Sequence, residues 1–129
     1  MVKGGRVAKR ILVVDDEPQL LGMLKMRLET SGYEVITAVD GEEGLQKTRD
    51  FNPDLIVLDV VMPKISGGEM AAALKEDDKL SKIPIIFLTC LAEGMVNKQS
   101  GESIGGNLFI AKPFEDEELI STINKILNK

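Results

Sequence analysis

Arg10-Ile11-Leu12-Val13-Val14-Asp15-Asp16-Glu17-Pro18 is the stretch that decides the fold. Four consecutive apolar residues read as a strand buried on both faces, which requires helices above and below a parallel sheet. The run stops at two carboxylates and then a proline, a residue suited to the first turn of a helix. The same grammar recurs. Leu55-Ile56-Val57-Leu58 closes on Asp59, Ile85-Ile86-Phe87-Leu88 closes on Thr89, and Leu108-Phe109-Ile110-Ala111 is followed by Lys112. In a parallel α/β sheet the carboxyl ends of the strands share one edge, and ligands bind there. Three acids, a hydroxyl and an amine are therefore expected at a single site.

Strand and helix patterns alternate between these runs. The second strand, Glu34-Val35-Ile36-Thr37-Ala38, is less uniformly apolar and fits a sheet edge. The first helix starts at Pro18, stops before Gly32 and carries a core stripe of Leu21, Leu24 and Leu28. Asp40 with Glu43, and Ser66 with Glu69, have the spacing of capping boxes for the next two helices. Leu119, Ile120, Ile123, Ile126 and Leu127 make the last helix the clearest amphipathic stripe. The fourth helical segment is the weak one. Gly94, Gly101, Gly105 and Gly106 fall between Ala92 and Gly106, and an interior glycine costs roughly 1 kcal/mol relative to alanine. That element is expected to be short, irregular or mobile.

Composition narrows the classes. A chain of 129 residues is one domain by length, and 43% hydrophobic with 29% charged residues reads as soluble and globular. A net charge of -5 speaks against a nucleic-acid binder with a basic surface. No apolar run approaches the ~18 residues of a membrane span, and no signal-peptide pattern opens the chain. One cysteine, Cys90, makes no internal disulfide, which is compatible with the cytoplasm. With no histidine there is no base for a His-dependent triad and no imidazole for zinc. The division expected is a flexible basic segment over 1–9, carrying Lys3, Arg6 and Lys9, and one domain over 10–129.

Asp15, Asp16 and Asp59 can place several carboxylate oxygens around one small cation. Hard oxygen ligands and an incomplete protein shell suit Mg²⁺, which keeps waters and bridges to phosphate. A carboxylate can also be a nucleophile and form an acyl phosphate. Phosphoryl transfer needs positioning and neutralised equatorial oxygens more than further covalent help. Lys112 supplies a second positive charge, and the Thr89 hydroxyl a hydrogen bond. Singly, each residue has an ordinary reading: an Asp after a strand caps a helix, a strand-end Thr follows β propensity, a Lys before Pro113 is solvated. Jointly, four strand ends carrying this set in this order point to phosphoryl chemistry on Asp59.

These residues resemble the receiver domain of two-component response regulators, of the CheY-like superfamily. The segments that carry the likeness are Ile11-Leu12-Val13-Val14-Asp15-Asp16-Glu17-Pro18, Pro53-Asp54-Leu55-Ile56-Val57-Leu58-Asp59-Val60-Val61-Met62-Pro63, Ile85-Ile86-Phe87-Leu88-Thr89 and Phe109-Ile110-Ala111-Lys112-Pro113-Phe114. The likeness runs from Arg10 to Leu127. It implies a doubly wound, flavodoxin-like fold with a five-stranded parallel sheet in the order 2-1-3-4-5. It implies Asp59 as phosphoacceptor, and Mg²⁺ held by Asp16, Asp59 and the Val61 carbonyl with Asp15 acting mostly through water. Thr89 and Lys112 would contact the phosphoryl oxygens, Phe109 would be the switch aromatic, and the Lys112-Pro113 bond would be cis. The donor would be a phosphohistidine on a sensor kinase or a phosphotransferase. The output would be a change of the face made by the fourth helix, fifth strand and fifth helix, read by a partner protein or output domain. Such a module is not a dedicated enzyme, and this domain would touch neither nucleic acid nor membrane.

Several positions depart from the family's usual pattern. Cys90 stands where Ala or Gly is common, Lys64-Ile65-Ser66 replaces Gly-Met-Asp, Gly106 replaces Ala, and Phe109 lacks the hydroxyl of the commoner Tyr. Val61 and Leu91, two residues after Asp59 and Thr89, are apolar and cannot orient a water, so a long-lived phosphorylated state is expected. On the first helix, Gln19, Met23 and Arg27 lie i, i+4, i+8 beside the leucine stripe. That row is the expected docking face for the phosphodonor, with Met23 completing the core as the plainer reading.

Three other readings fit the residues less well. A phosphatase of the haloacid-dehalogenase type carries a second acid two residues after its nucleophile, where this chain has Val61. A flavin- or nucleotide-binding module wants backbone amides and hydroxyls after the first strand, where this chain has carboxylates. A degenerate receiver acting only as a binding scaffold would lack part of the acid, Thr and Lys set. The chain is either a stand-alone receiver or the receiver part of a longer protein.

Overall fold

Each apolar run of the sequence is a strand in the computed structural model, which describes residues 8–59, 67–89, 103–104, 107–111 and 115–127. In chain order the elements are β1 (Arg10–Val14), α1 (Pro18–Thr30), β2 (Glu34–Ala38), α2 (Gly41–Phe51), β3 (Leu55–Asp59) and α3 (Gly67–Lys75). A 3-10 turn at Leu80–Lys82 leads into β4 (Ile85–Thr89), followed by β5 (Ser103–Ile104), β6 (Asn107–Ala111) and α4 (Asp116–Leu127). The sheet order is β2-β1-β3-β4-β6-β5. β2, β1, β3, β4 and β6 are all parallel, in the order expected for a five-stranded doubly wound sheet.

The sheet differs from that expectation at one edge. β5 adds a sixth, two-residue strand, antiparallel to β6, with Ile104 opposite Asn107. Ile104 falls in the stretch between Ala92 and Gly106 where the alternation of elements leads one to expect the weak fourth helix. A Gly105-Gly106 pair between two β-branched or apolar segments is a hairpin signal, and it outweighs helical spacing anchored by so few apolar residues. The rest of that segment lies outside the described residues, as do Ser66 and its expected capping box, and residues 1–7 of the basic segment.

Alternation along the strands sorts the core into two layers. Ile11 and Val13 of β1, Leu55 and Val57 of β3, Ile86 and Leu88 of β4, and Ile110 of β6 face Leu21, Leu24 and Leu28 of α1 and Leu119 and Ile123 of α4. Leu12, Val14, Ile56, Leu58, Ile85 and Phe87 face the other way, against Met70, Ala71 and Leu74 of α3 and Leu45 of α2. Burial on both faces is why these runs are continuously apolar rather than alternating. α2 lies close to both α3 and the sheet on this second face: a Cβ on Gly44 would fall 2.9 Å from the Met70 sulfur and 3.1 Å from a Val14 methyl. At the far end of α1 the chain turns on Gly32 at φ 101, a backbone conformation open to glycine.

The start of α2 carries a capping box with one shifted arm. The Asp40 carboxylate accepts the Glu43 N–H at 2.8 Å, as expected of an N-cap. The Glu43 carboxylate reaches back to the N–H of Val39, not of Asp40, at 2.7 Å. Its second oxygen lies 3.1 Å from Lys47 Nζ. The Val39 N–H, then Lys47, hold the Glu43 carboxyl below its ordinary value of 4.5. A depressed folded-state pKa gives stability that is complete above 4.5 and lost as pH falls through the lowered value. Asp40→Ala is expected to cost about 1 kcal/mol in urea unfolding at neutral pH. Glu43→Gln is expected to be destabilised at neutral pH and to converge with wild type in acid. A gap between the two that persists at the most acid pH would remove Glu43 as the titrating group.

Candidate functional site

Register places the acids. Val14 is level with Leu58 in neighbouring parallel strands, so the next residues, Asp15 and Asp59, are brought side by side at the carboxyl edge. The Asp15 N–H continues the ladder by donating to the Ala38 carbonyl at 3.1 Å, which fixes the backbone that carries the carboxylate. Asp15 is 0% and Asp59 6% exposed, while Asp16 is exposed.

Neither acid caps α1. The N-cap position is Glu17, whose side chain makes no capping bond. The Asp15 carboxylate instead accepts the Glu17 N–H at 2.9 Å, an Asx-type turn that aims it back across the sheet edge. Pro18 as first helical residue has no N–H to satisfy. The ordinary reading of a strand-end Asp as a helix cap therefore does not describe Asp15 or Asp16. The turn was the feature that spacing alone did not reveal.

One carboxylate oxygen from each of Asp15, Asp16 and Asp59 lies within 4.8 Å of the others. At that separation two carboxylates repel by about 3.5 kcal/mol at an effective dielectric of ~20, and by about 1 kcal/mol under water-like screening. Such a set is stable with positive charge at its centre. Three hard, anionic oxygens at one edge, two from nearly buried residues, fit a small divalent cation.

The remaining predicted residues stand as follows. Thr89 ends β4, one residue beyond the Asp59↔Leu88 pair and level with Ala111 of β6. Its backbone thus reaches the edge that carries Asp59. Phe109 lies in mid-β6, in register with Phe87. Lys112 is the residue after Ala111; Lys112 itself, Pro113, Val61, Cys90 and Leu91 lie outside the described residues. On α1, Gln19 and Arg27 are exposed. Met23 is half-buried and packs against the layer formed by Leu21, Leu24 and Leu28, so the plainer reading of Met23 holds for part of its surface.

A family model described as the response regulator receiver domain matches residues 11–124. The alkaline phosphatase synthesis transcriptional regulatory protein PhoP of Bacillus subtilis is 42% identical over 121 residues, covering 94% of this chain and 49% of the relative. The chain spans about half the length of curated relatives such as this one. Among solved structures, the chemotaxis response regulator CheY4 of Vibrio cholerae superposes with a TM-score of 0.81 at 32% identity, covering 94% of this chain and 100% of that one. The response regulator TrrA of Thermotoga maritima, solved in complex with Mg²⁺-BeF, gives a TM-score of 0.77 at 38% identity, covering 92% and 99%.

Proposed function

The chain belongs to the response regulator receiver domain family, and from that premise we propose that Asp59 is its phosphoacceptor, in a reaction that depends on Mg²⁺. Phosphoacceptor signalling is the business of this family, and the chain is a signalling module rather than a dedicated enzyme. The observation that carries the site assignment is the convergence of three carboxylates within 4.8 Å at the carboxyl edge of the sheet.

In the proposed step an Asp59 oxygen attacks the phosphorus of a phosphohistidine in line. The phosphorus–nitrogen bond breaks, and the imidazole keeps the electron pair and takes up a proton. Asp16 and Asp59, with the Val61 carbonyl, would hold Mg²⁺ directly, and Asp15 through water. Bound there, Mg²⁺ would supply the positive charge that neutralises the phosphoryl oxygens during transfer. TrrA's complex with Mg²⁺-BeF supports this reading, since its chain aligns over nearly all of this one. Asp15, buried and tied to Glu17, keeps the Asp16 backbone in place. The Lys112 ammonium and the Thr89 hydroxyl would contact the transferred group, Phe109 would be the switch aromatic that moves with the threonine, and the Lys112-Pro113 bond would be cis.

The partners proposed are a sensor histidine kinase or histidine phosphotransferase upstream, and a downstream protein or attached output domain. The named relatives include transcriptional regulators about twice this length, one of them described as DNA-binding, and we assign any DNA contact to an output part and none to this domain. The division proposed stays that of a basic segment over 1–9 and a receiver over 10–129. No helix among the described residues is long and apolar enough to cross a membrane, and the compartment proposed is the cytoplasm. Incubation with acetyl phosphate and Mg²⁺ should add one phosphoryl group by intact mass. Failure to label would favour the scaffold reading instead.

Gln19, Met23 and Arg27 are proposed to meet the phosphodonor. Arg27→Glu, remote from the core, should slow transfer from a phosphohistidine protein about tenfold, the scale of one 1.4 kcal/mol contact. Met23→Glu should do the same with some loss of stability. Acetyl phosphate uptake is the control and should be unchanged. Equal protein-to-protein transfer in wild type and Arg27→Glu would defeat the docking assignment.

A further inference from the structure

β2 is the edge of the sheet opposite β5, and among the described residues its only strand neighbour is β1. The hydrogen bonds show which way its backbone faces. The Glu34 N–H donates to the Lys9 carbonyl, and the Ala38 carbonyl accepts the Asp15 N–H, so both residues face β1. Backbone groups alternate along a strand, so Val35 and Thr37 turn their N–H and C=O groups outward. An outward row on Val-Ile-Thr, with high β propensity, is a template for another strand.

Both outward carbonyls are occupied. Lys47 Nζ, from α2, donates to the Thr37 carbonyl at 2.7 Å. Lys25 Nζ, from α1, reaches the Val35 carbonyl at 3.4 Å. Each lysine is held from its own helix by a carboxylate one turn away, Glu43 for Lys47 and Glu29 for Lys25. The two helices thus send matching Glu–Lys pairs from opposite faces of the sheet onto the same edge. Ordinary exposed i,i+4 pairs contribute little to stability, so their placement on the carbonyls is the informative part.

We propose that Lys25 and Lys47 form a paired cap that stops a second copy of this chain from adding its own β2 strand to this edge. The occupant excluded is a second copy because the edge of one molecule is the same β-branched segment as that of another, and two such edges pair about a two-fold axis. An incoming strand would have to displace two charge-assisted hydrogen bonds and would meet two ammonium groups. Lys47 makes the shorter bond and is the stronger half of the cap.

The test is the mass of the unphosphorylated chain by light scattering over a concentration series. Methionine keeps an unbranched stem nearly as long as that of lysine but donates nothing. Lys25→Met with Lys47→Met should shift the mass from the wild-type value to at least double. Lys47→Met alone should give a larger shift than Lys25→Met alone, which keeps the test informative if the double variant folds poorly. Lys25→Arg with Lys47→Arg keeps the donors and should match wild type. Adding Thr37→Pro to the double methionine variant removes an outward N–H without costing a bond to β1, and should restore the wild-type mass. A folded single or double methionine variant with unchanged mass would overturn the proposal. So would association that persists after Thr37→Pro, because it would then run through some other surface.

Discussion

Asp59→Asn should take up no phosphoryl group from acetyl phosphate in the presence of Mg²⁺, where wild type takes up one. An amide oxygen is a far weaker nucleophile than a carboxylate and forms no acyl phosphate. The exchange is isosteric at a residue 6% exposed, and Asn presents an oxygen and an amide where two oxygens stood. The fold should therefore survive, and far-UV circular dichroism checks that it does. The loss is then chemical and complete rather than partial. The rival acceptors are close at hand, since Asp15 and Asp16 lie within 4.8 Å of Asp59 by their oxygens. Labelling that persisted in Asp59→Asn, located on either neighbour by peptide mapping, would overturn the assignment. Removal of one of three converging negative charges should also raise the thermal midpoint of the metal-free protein, because two of the three pairwise repulsions are lost.

The strands were legible because helices cover both sheet faces. Ile11 to Val14 and Leu55 to Leu58 are all fully buried, and that condition writes itself into sequence as an unbroken apolar run. The edge position of β2 was legible for the converse reason: Glu34 is exposed and Ile36 and Thr37 are only half-buried. The last helix was clear because Leu119 and Ile123 reach the core while Glu117, Ser121 and Asn124 do not. What spacing did not disclose depended on bonds between distant residues. Nothing near Tyr33 announces that its hydroxyl donates to Asn124 of α4, 91 positions away. Nothing near Asp40 announces that Glu43 passes over it to Val39. β5 was missed because a two-residue strand has no periodicity to read. The acid cluster was legible as a set because strand ends of a parallel sheet meet at one edge whatever the loops do. Its internal asymmetry, with Asp15 and Asp59 nearly buried and Asp16 exposed, was not.

That asymmetry makes Asp16→Ala the sharpest probe of the metal. Asp16 is exposed, and its loss leaves the core and the Asp15–Glu17 turn untouched. A carboxylate about 4 Å from a divalent ion contributes about 2 kcal/mol under water-like screening and about 8 kcal/mol at an effective dielectric of ~20. Water takes the vacated ligand position and returns part of this. Even the lower figure is more than a tenfold loss of Mg²⁺ affinity, read directly by titration calorimetry. Asp15→Ala should lose less affinity, since that residue acts through water at longer range, but more stability, since it is fully buried and hydrogen-bonded. The two variants should therefore separate in thermal melts. Without metal, Asp16→Ala should melt above wild type, freed of one like charge, and Asp15→Ala below it. With saturating Mg²⁺, wild type should gain the stabilisation that ligand binding to the folded state confers, and Asp16→Ala should gain little of it. The order of the wild-type and Asp16→Ala midpoints is then expected to reverse on adding the ion. Identical Mg²⁺ titrations for wild type and Asp16→Ala, with no reversal, would mean that Asp16 holds no metal. The repulsion within the cluster would then have to be relieved by the protein's own cations.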